Sequence, residues 1–194
     1  MAEIFPAAAM AAGLSWASGI RLYMTLFMAG WLGRQGWVDL PDALQVLQSN
    51  WVLAITGGLF VVEFLADKVP GVDSVWDAIQ TFIRIPAGAV LGAAALGQAD
   101  PALTTIAALI GGTFAAGAHA TKAGSRAMIN TSPEPFSNWA ASFSEDALVV
   151  TGLWAAFFQP WVLVVILLLF ALLAIWLLPK VWRGLRWLFR RLAA

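Results

Sequence analysis

The run Trp161 to Leu178 holds eighteen consecutive residues with no charged or polar group among them. A stretch of that kind has one favourable environment, the hydrocarbon core of a bilayer, which takes about 20 residues of helix to cross. Similar apolar runs recur from Pro6 to Gly33, from Trp51 to Ala66, from Asp73 or Ser74 to near Leu96, from Ala102 into Lys122, and from Asn138 to Phe158. Only 11% of the 194 residues are charged, against about 25% in ordinary soluble domains, and the mean hydropathy is +0.81. The expected fold is all-α: a polytopic helical membrane protein with about six transmembrane helices. They would form one domain over residues 1–179, followed by a basic amphipathic interfacial helix over 180–194. The absence of cysteine excludes disulfides, thiolate nucleophiles and Cys-ligated metals. The opening MAEIFPAAAMAAG carries Glu3 and no basic region, so no cleaved signal peptide is expected.

Two features complicate the picture of plain spans. The first segment is 28 residues long, with Ser18-Gly19 and Arg21 near its middle. It reads either as one tilted helix or as a helix broken at Ser18-Gly19, with Arg21 at the break, of the kind that lines cavities in transporters. Between Trp37 and Asn50 lies a polar connection with Pro41, where Asp39 or Asp42 can cap a short interfacial helix edged by Leu44 and Leu47. Asp73 or Ser74 is the expected cap of the third span, which Pro86 should kink. Small residues mark packing surfaces: Gly88 with Gly92, and the stripe Gly112, Ala116, Ala120, Gly124. His119, the single histidine, has no second ligand at metal-binding spacing and reads as a hydrogen-bonded interior group.

The charges are concentrated. In Val61–Gly88, Glu63 and Asp67 share a helix face, Asp73 and Asp77 share another after a Val69-Pro70-Gly71 turn, and Arg84 falls seven residues beyond Asp77. Ionisable groups inside apolar runs face a bundle interior, a watery cavity or one another. They therefore form either a structural ion pair, Glu63 with Arg84, or part of a solute or proton pathway. A second block holds Lys122-Ala-Gly-Ser-Arg126, the loop Thr131-Ser-Pro-Glu-Pro135, and Ser144-Glu145-Asp146, whose acids either pair with Lys122 and Arg126 or lie solvated at the surface.

The pattern Glu63-x-x-x-Asp67-Lys68-x-Pro70-x-x-Asp73 with Asp77 and Arg84, together with Lys122-Ala-Gly-Ser-Arg126, Ser132-Pro-Glu-Pro-Phe-Ser-Asn138 and Ser144-Glu145-Asp146, resembles a bacterial membrane family known as domain of unknown function 4126. The resemblance covers the chain to about residue 158. It implies a membrane topology and no activity.

Counting basic residues by the positive-inside rule puts both termini in the cytoplasm of a bacterial inner membrane, with Lys68, Lys122, Arg126 and the tail inside and Arg34 outside. Both polar blocks then open on one side and are able to build one site. In the tail, Val181, Trp182, Leu185, Leu188, Phe189 and Leu192 oppose Arg183, Arg186, Arg190 and Arg191, which suits anionic lipid and not nucleic acid. Echoes of Ser18–Arg21 in Ala123–Arg126 and of Trp51–Phe60 in Trp161–Phe170 imply different repeat units, so no repeat is assigned.

No phosphate loop, zinc signature or nucleophilic triad is present. The leading expectation is passage or flipping of a small or amphiphilic anion, without a cofactor. Arg21, Arg84, Lys122 and Arg126 would meet the anion, while Glu63, Asp67, Lys68, Asp73, Asp77, Glu145 and Asp146 would carry a coupling proton or form ion pairs. The rival is a membrane scaffold or assembly factor, in which these charges are clamps and the small-residue stripes are partner seams. A metal-assisted lipid-phosphate enzyme is a further alternative, opposed by Lys68 and Arg84 among the acids. Membrane lipids and a second copy are the expected partners.

Overall fold

The computed structural model describes residues 4–69, 71–97, 99–130 and 135–192. Seven α-helices follow one another: α1 Ile4–Ile20, α2 Leu22–Arg34, α3 Asn50–Ala66, α4 Val72–Ala95, α5 Pro101–Ile129, α6 Pro135–Phe158 and α7 Pro160–Leu192. A 3₁₀ helix, Asp42–Gln48, connects α2 to α3. Of the turns expected from sequence, the Thr131–Pro135 loop falls mostly on 131–134 and Pro70 on 70, outside the described residues.

Helices α4, α5 and the Pro160–Gly184 part of α7 are each long and apolar enough to cross a membrane. The 3₁₀ helix and α3 form a further apolar pair bent by 69°, and α1 is apolar but only 17 residues long. The chain is an all-helical protein of membrane-protein character. Its outer surface fits that reading, since Phe82, Val90, Leu109, Leu172 and Ile175 are all exposed. Only 6% of the apolar stretch of α7 is buried, as expected of a helix uniformly apolar around its circumference.

The first apolar segment is not one unbroken helix. It is interrupted at Arg21, whose backbone turns to φ −139° and ψ 82°, while Ser18 and Gly19 stay inside α1. The break frees the carbonyl of Ile20, which accepts a hydrogen bond from Lys122 Nζ at 3.3 Å. A cation at a helix C-terminus meets the negative end of its dipole. The short connecting helix also differs from expectation. Pro41 precedes it and neither Asp39 nor Asp42 caps it. Leu44 and Leu47 point into the core instead of along an interface, since α2 offers Gly30, where the Leu47 carbonyl approaches too closely for any side chain.

Helices α1, α4 and α5 meet at backbone distance. Ser15 Oγ donates to the Gly88 carbonyl at 2.8 Å. A Cβ on Gly111 would lie 2.6 Å from that carbonyl, and one on Gly92 would lie 2.7 Å from the carbonyl of Ala107. Gly88 and Gly92 thus serve as an approach surface. On α5, however, the buried face runs through Gly111, Ala115 and Ala118, and Ala120 of the expected stripe is exposed. The segment is small-residue-rich on every side, so its composition does not say which stripe a neighbour will choose. Asp100 caps α5 by accepting from Ala102 N at 2.8 Å, followed by Pro101. Gly71, at φ 87°, precedes α4. Asp73 is not the cap but sits in the first turn, its Oδ1 accepting from Gly71 N and Ser74 N. The helix continues through Pro86.

Candidate functional site

The two polar blocks, separated by about forty residues of sequence, come together with the α1–α2 break. Helical spacing explains how. Asp73, Asp77, Gln80 and Arg84 recur every three or four residues, so α4 turns one charged stripe inward, and all four are buried. On α5 the equivalent stripe is His119, Lys122 and Arg126. On α6 it is Asn138, Ser142 and Glu145, with Asp146 beside it. Glu63 and Asp67 enter from the end of α3.

Four buried cations organise the site. Arg84 bridges Glu63 and Asp77, the latter at 2.8 Å. Its Nη1 also meets His119 Nδ1 at 3.1 Å. A guanidinium nitrogen only donates, so Nδ1 accepts and the ring proton sits on Nε2, which faces Thr81 Oγ1 at 2.6 Å. Arg21 pairs with Asp67, with Asp146 at 2.8 Å and with Glu145 at 3.4 Å. It also donates to Ser142 Oγ at 2.8 Å and to the Ser142 carbonyl at 3.1 Å. Lys122 lies 2.8 Å from Asp67, 3.3 Å from Asp77 and 3.6 Å from Glu145. Arg126 grips both oxygens of Glu145 at 2.9 and 3.0 Å, and reaches the Asp67 carbonyl and Asn138 at 3.0 Å.

Neither the cations nor the carboxylates are fully engaged. Arg84 Nε on one side, and Glu63 Oε2, Asp67 Oδ1 and Asp77 Oδ2 on the other, are buried with no hydrogen-bond partner among the described residues. Each of these acids turns one oxygen to a cation and keeps the other free of any donor. Glu63 and Asp67 have no exposed side-chain surface, whereas Glu145 and Asp146 keep 12% and 15%.

Two expected members stand apart. Asp73 belongs to a smaller group, where both its oxygens accept from Asn130 Nδ2 at 2.9 Å. Lys68 has no ion-pair partner among the described residues. It lies over the Phe64 and Phe143 rings and donates to the Phe64 carbonyl at 3.2 Å and to Ser142 Oγ at 3.3 Å. The sequence reading assigned no site role to Asn138, Ser142, Thr81 or Gln80. Their signal was available as the three-and-four spacing with Glu145 and with Arg84, but uncharged residues do not stand out in an apolar run as charges do. Among the described residues, no three His, Asp or Glu side chains converge as metal ligands.

A family model matches residues 8–180, under the description domain of unknown function (DUF4126). The chain belongs to this family. The matched span contains every member of the charged cluster, from Arg21 to Asp146, and stops just inside the basic end of α7. No curated protein and no solved structure matches the chain. Membership of the family fixes no activity, so function rests on the geometry of the site.

Proposed function

We propose that this family member is a multi-pass protein of the bacterial cytoplasmic membrane that passes or flips a small anionic or amphiphilic solute through the charged cluster. Six traversing helices and cytoplasmic termini accompany this reading. In support of the orientation, Gly124 near the basic end of α5 packs against Val181 at the basic end of α7, with 3.1 Å between a Cβ there and the valine. Positive charge from both helices is thereby gathered at one end of the bundle.

The observation that carries the proposal is the pairing itself. Arg21, Arg84, Lys122 and Arg126 are buried and already matched to Glu63, Asp67, Asp77, Glu145 and Asp146. A solute anion can reach these cations only by taking a carboxylate's place. Protonating that carboxylate removes its hold on the cation, and one proton taken up with one anion leaves the net charge of the cluster unchanged. The unengaged oxygens of Glu63 and Asp67 supply places for such a proton. The break at Arg21 puts backbone irregularity where helices that bind solutes place theirs.

The scaffold reading has its own supporting observation: each of the four cations already has at least one internal carboxylate partner, as clamps would. The two part on Glu63→Gln. In proteoliposomes under an imposed proton gradient, uptake of a panel of labelled small organic anions should be lost in this variant while its thermal midpoint and yield match the wild type. A variant that changes only the midpoint, with flux intact or never present, assigns the cluster to structure.

A further inference from the structure

A groove between α5, α6 and α7 reaches the cluster from the side. It encloses about 240 Å³, and Lys122 and Glu145 form part of its lining. Most of the remaining wall is apolar, with Leu148 from α6 and Phe170, Leu173 and Leu177 from α7. Leu173 is 47% exposed, so the groove opens on the outer apolar face of the bundle. A hydrophilic solute finds few partners along such a wall, whereas a hydrocarbon chain loses nothing by lying there.

Glu145 is the acid of the cluster that lines this groove. Arg126 holds both its oxygens in the two-pronged geometry that suits a carboxylate. An incoming carboxylate has the same shape and charge. Exchange of the one for the other leaves Arg126 and Lys122 with an equivalent partner. Lys180 adds attraction at the edge. It lies three and seven residues beyond Leu177 and Leu173, on the face they share, and it is exposed, with its ammonium over the Trp176 ring and no acidic partner among the described residues.

We infer that this groove admits a long-chain carboxylate from the bilayer. Its chain lies along Leu148, Phe170 and Leu173, and its head replaces Glu145 on Arg126 and Lys122. This inference rests on the transport reading and narrows the solute to a fatty-acid-like amphiphile.

The test is binding of oleate, labelled with carbon-13 at its carboxyl, to the full-length protein in phosphatidylcholine nanodiscs. Expected are a saturable bound carboxyl resonance, no competition by oleyl alcohol, and binding roughly tenfold or more weaker in Leu173→Trp, which fills the groove. An unchanged thermal midpoint shows that the groove and not the fold was altered, and Leu148→Trp gives the same block from α6 should the first variant not fold. Absence of saturable binding, equal binding of oleyl alcohol, or indifference to both tryptophan variants overturns the inference. So does a protein dimer that these variants dissociate, which would give the groove to a second copy. Loss of the oleate site with Glu63-dependent anion flux intact removes the portal alone. Oleate binding at the groove with no flux removes the transport reading and leaves the site standing.

Discussion

Helices α1, α4 and α5 meet twice, in opposite ways. At Ser15, Gly88, Gly92 and Gly111 their backbones touch. Toward the α3–α4 and α5–α6 ends, Arg21, Arg84 and Lys122 fill the space between the helices together with carboxylates from α3, α4 and α6. The first contact is made of backbone and small side chains, Ser15 among them. The second is built from pairs that another ion of the same sign could replace.

The comparison breaks most readily on the charged side. Arg84→Ala leaves Glu63 buried without its cation and Asp77 with Lys122 alone, and a loss of about 3–5 kcal/mol is expected from breaking one partner of a buried pair. Denaturant titration in detergent reads it. Replacing Arg84 with Met together with Glu63 and Asp77 with Leu should recover most of that stability, because an apolar substitute for the whole group removes the uncompensated charge. Full stability without flux would separate the cluster's function from its structural contribution.

On the backbone side a smaller effect is expected. Gly111→Val puts atoms against the Gly88 carbonyl and Ser15 Oγ, and about 1–3 kcal/mol of overpacking follows, visible as a lowered thermal midpoint. If the variant instead matches the wild type, the helices do not touch there. The smallest effect belongs to neither region. Leu172 on α7 is 65% exposed, and Leu172→Ala should shift stability by no more than about 0.5 kcal/mol, measured the same way. A larger loss would mean that this face of α7 is covered.

Much of this site was legible one helix at a time. Glu63 and Asp67, Asp77 and Arg84, and Lys122 and Arg126 stand out as costly charges within apolar runs, and their spacing puts each set on one face. Asp73 stood out equally and yet belongs with Asn130, because it sits in the first turn of α4, one turn short of the cluster. Lys68 read as an ion-pair partner but rests on aromatic rings, with no carboxylate in ion-pair contact among the described residues. The expected α5 stripe held only in part, with Gly124 packed and Ala120 exposed, for a different reason: with small residues on all sides, a 100° rotation costs nothing in the pattern.

By itself the sequence determined that the chain is helical, apolar and of membrane character, and which residues must turn inward. These properties follow from the cost of exposing charge to hydrocarbon and from the period of the helix, both local. Tertiary structure alone decided that Arg21, the α3–α4 block and the α5–α6 block share one cluster, that the first segment is broken and not merely tilted, and that Lys122 fills the gap. Those outcomes depend on which helix lies beside which, and the apolar runs are too alike for their order along the chain to specify their neighbours in space.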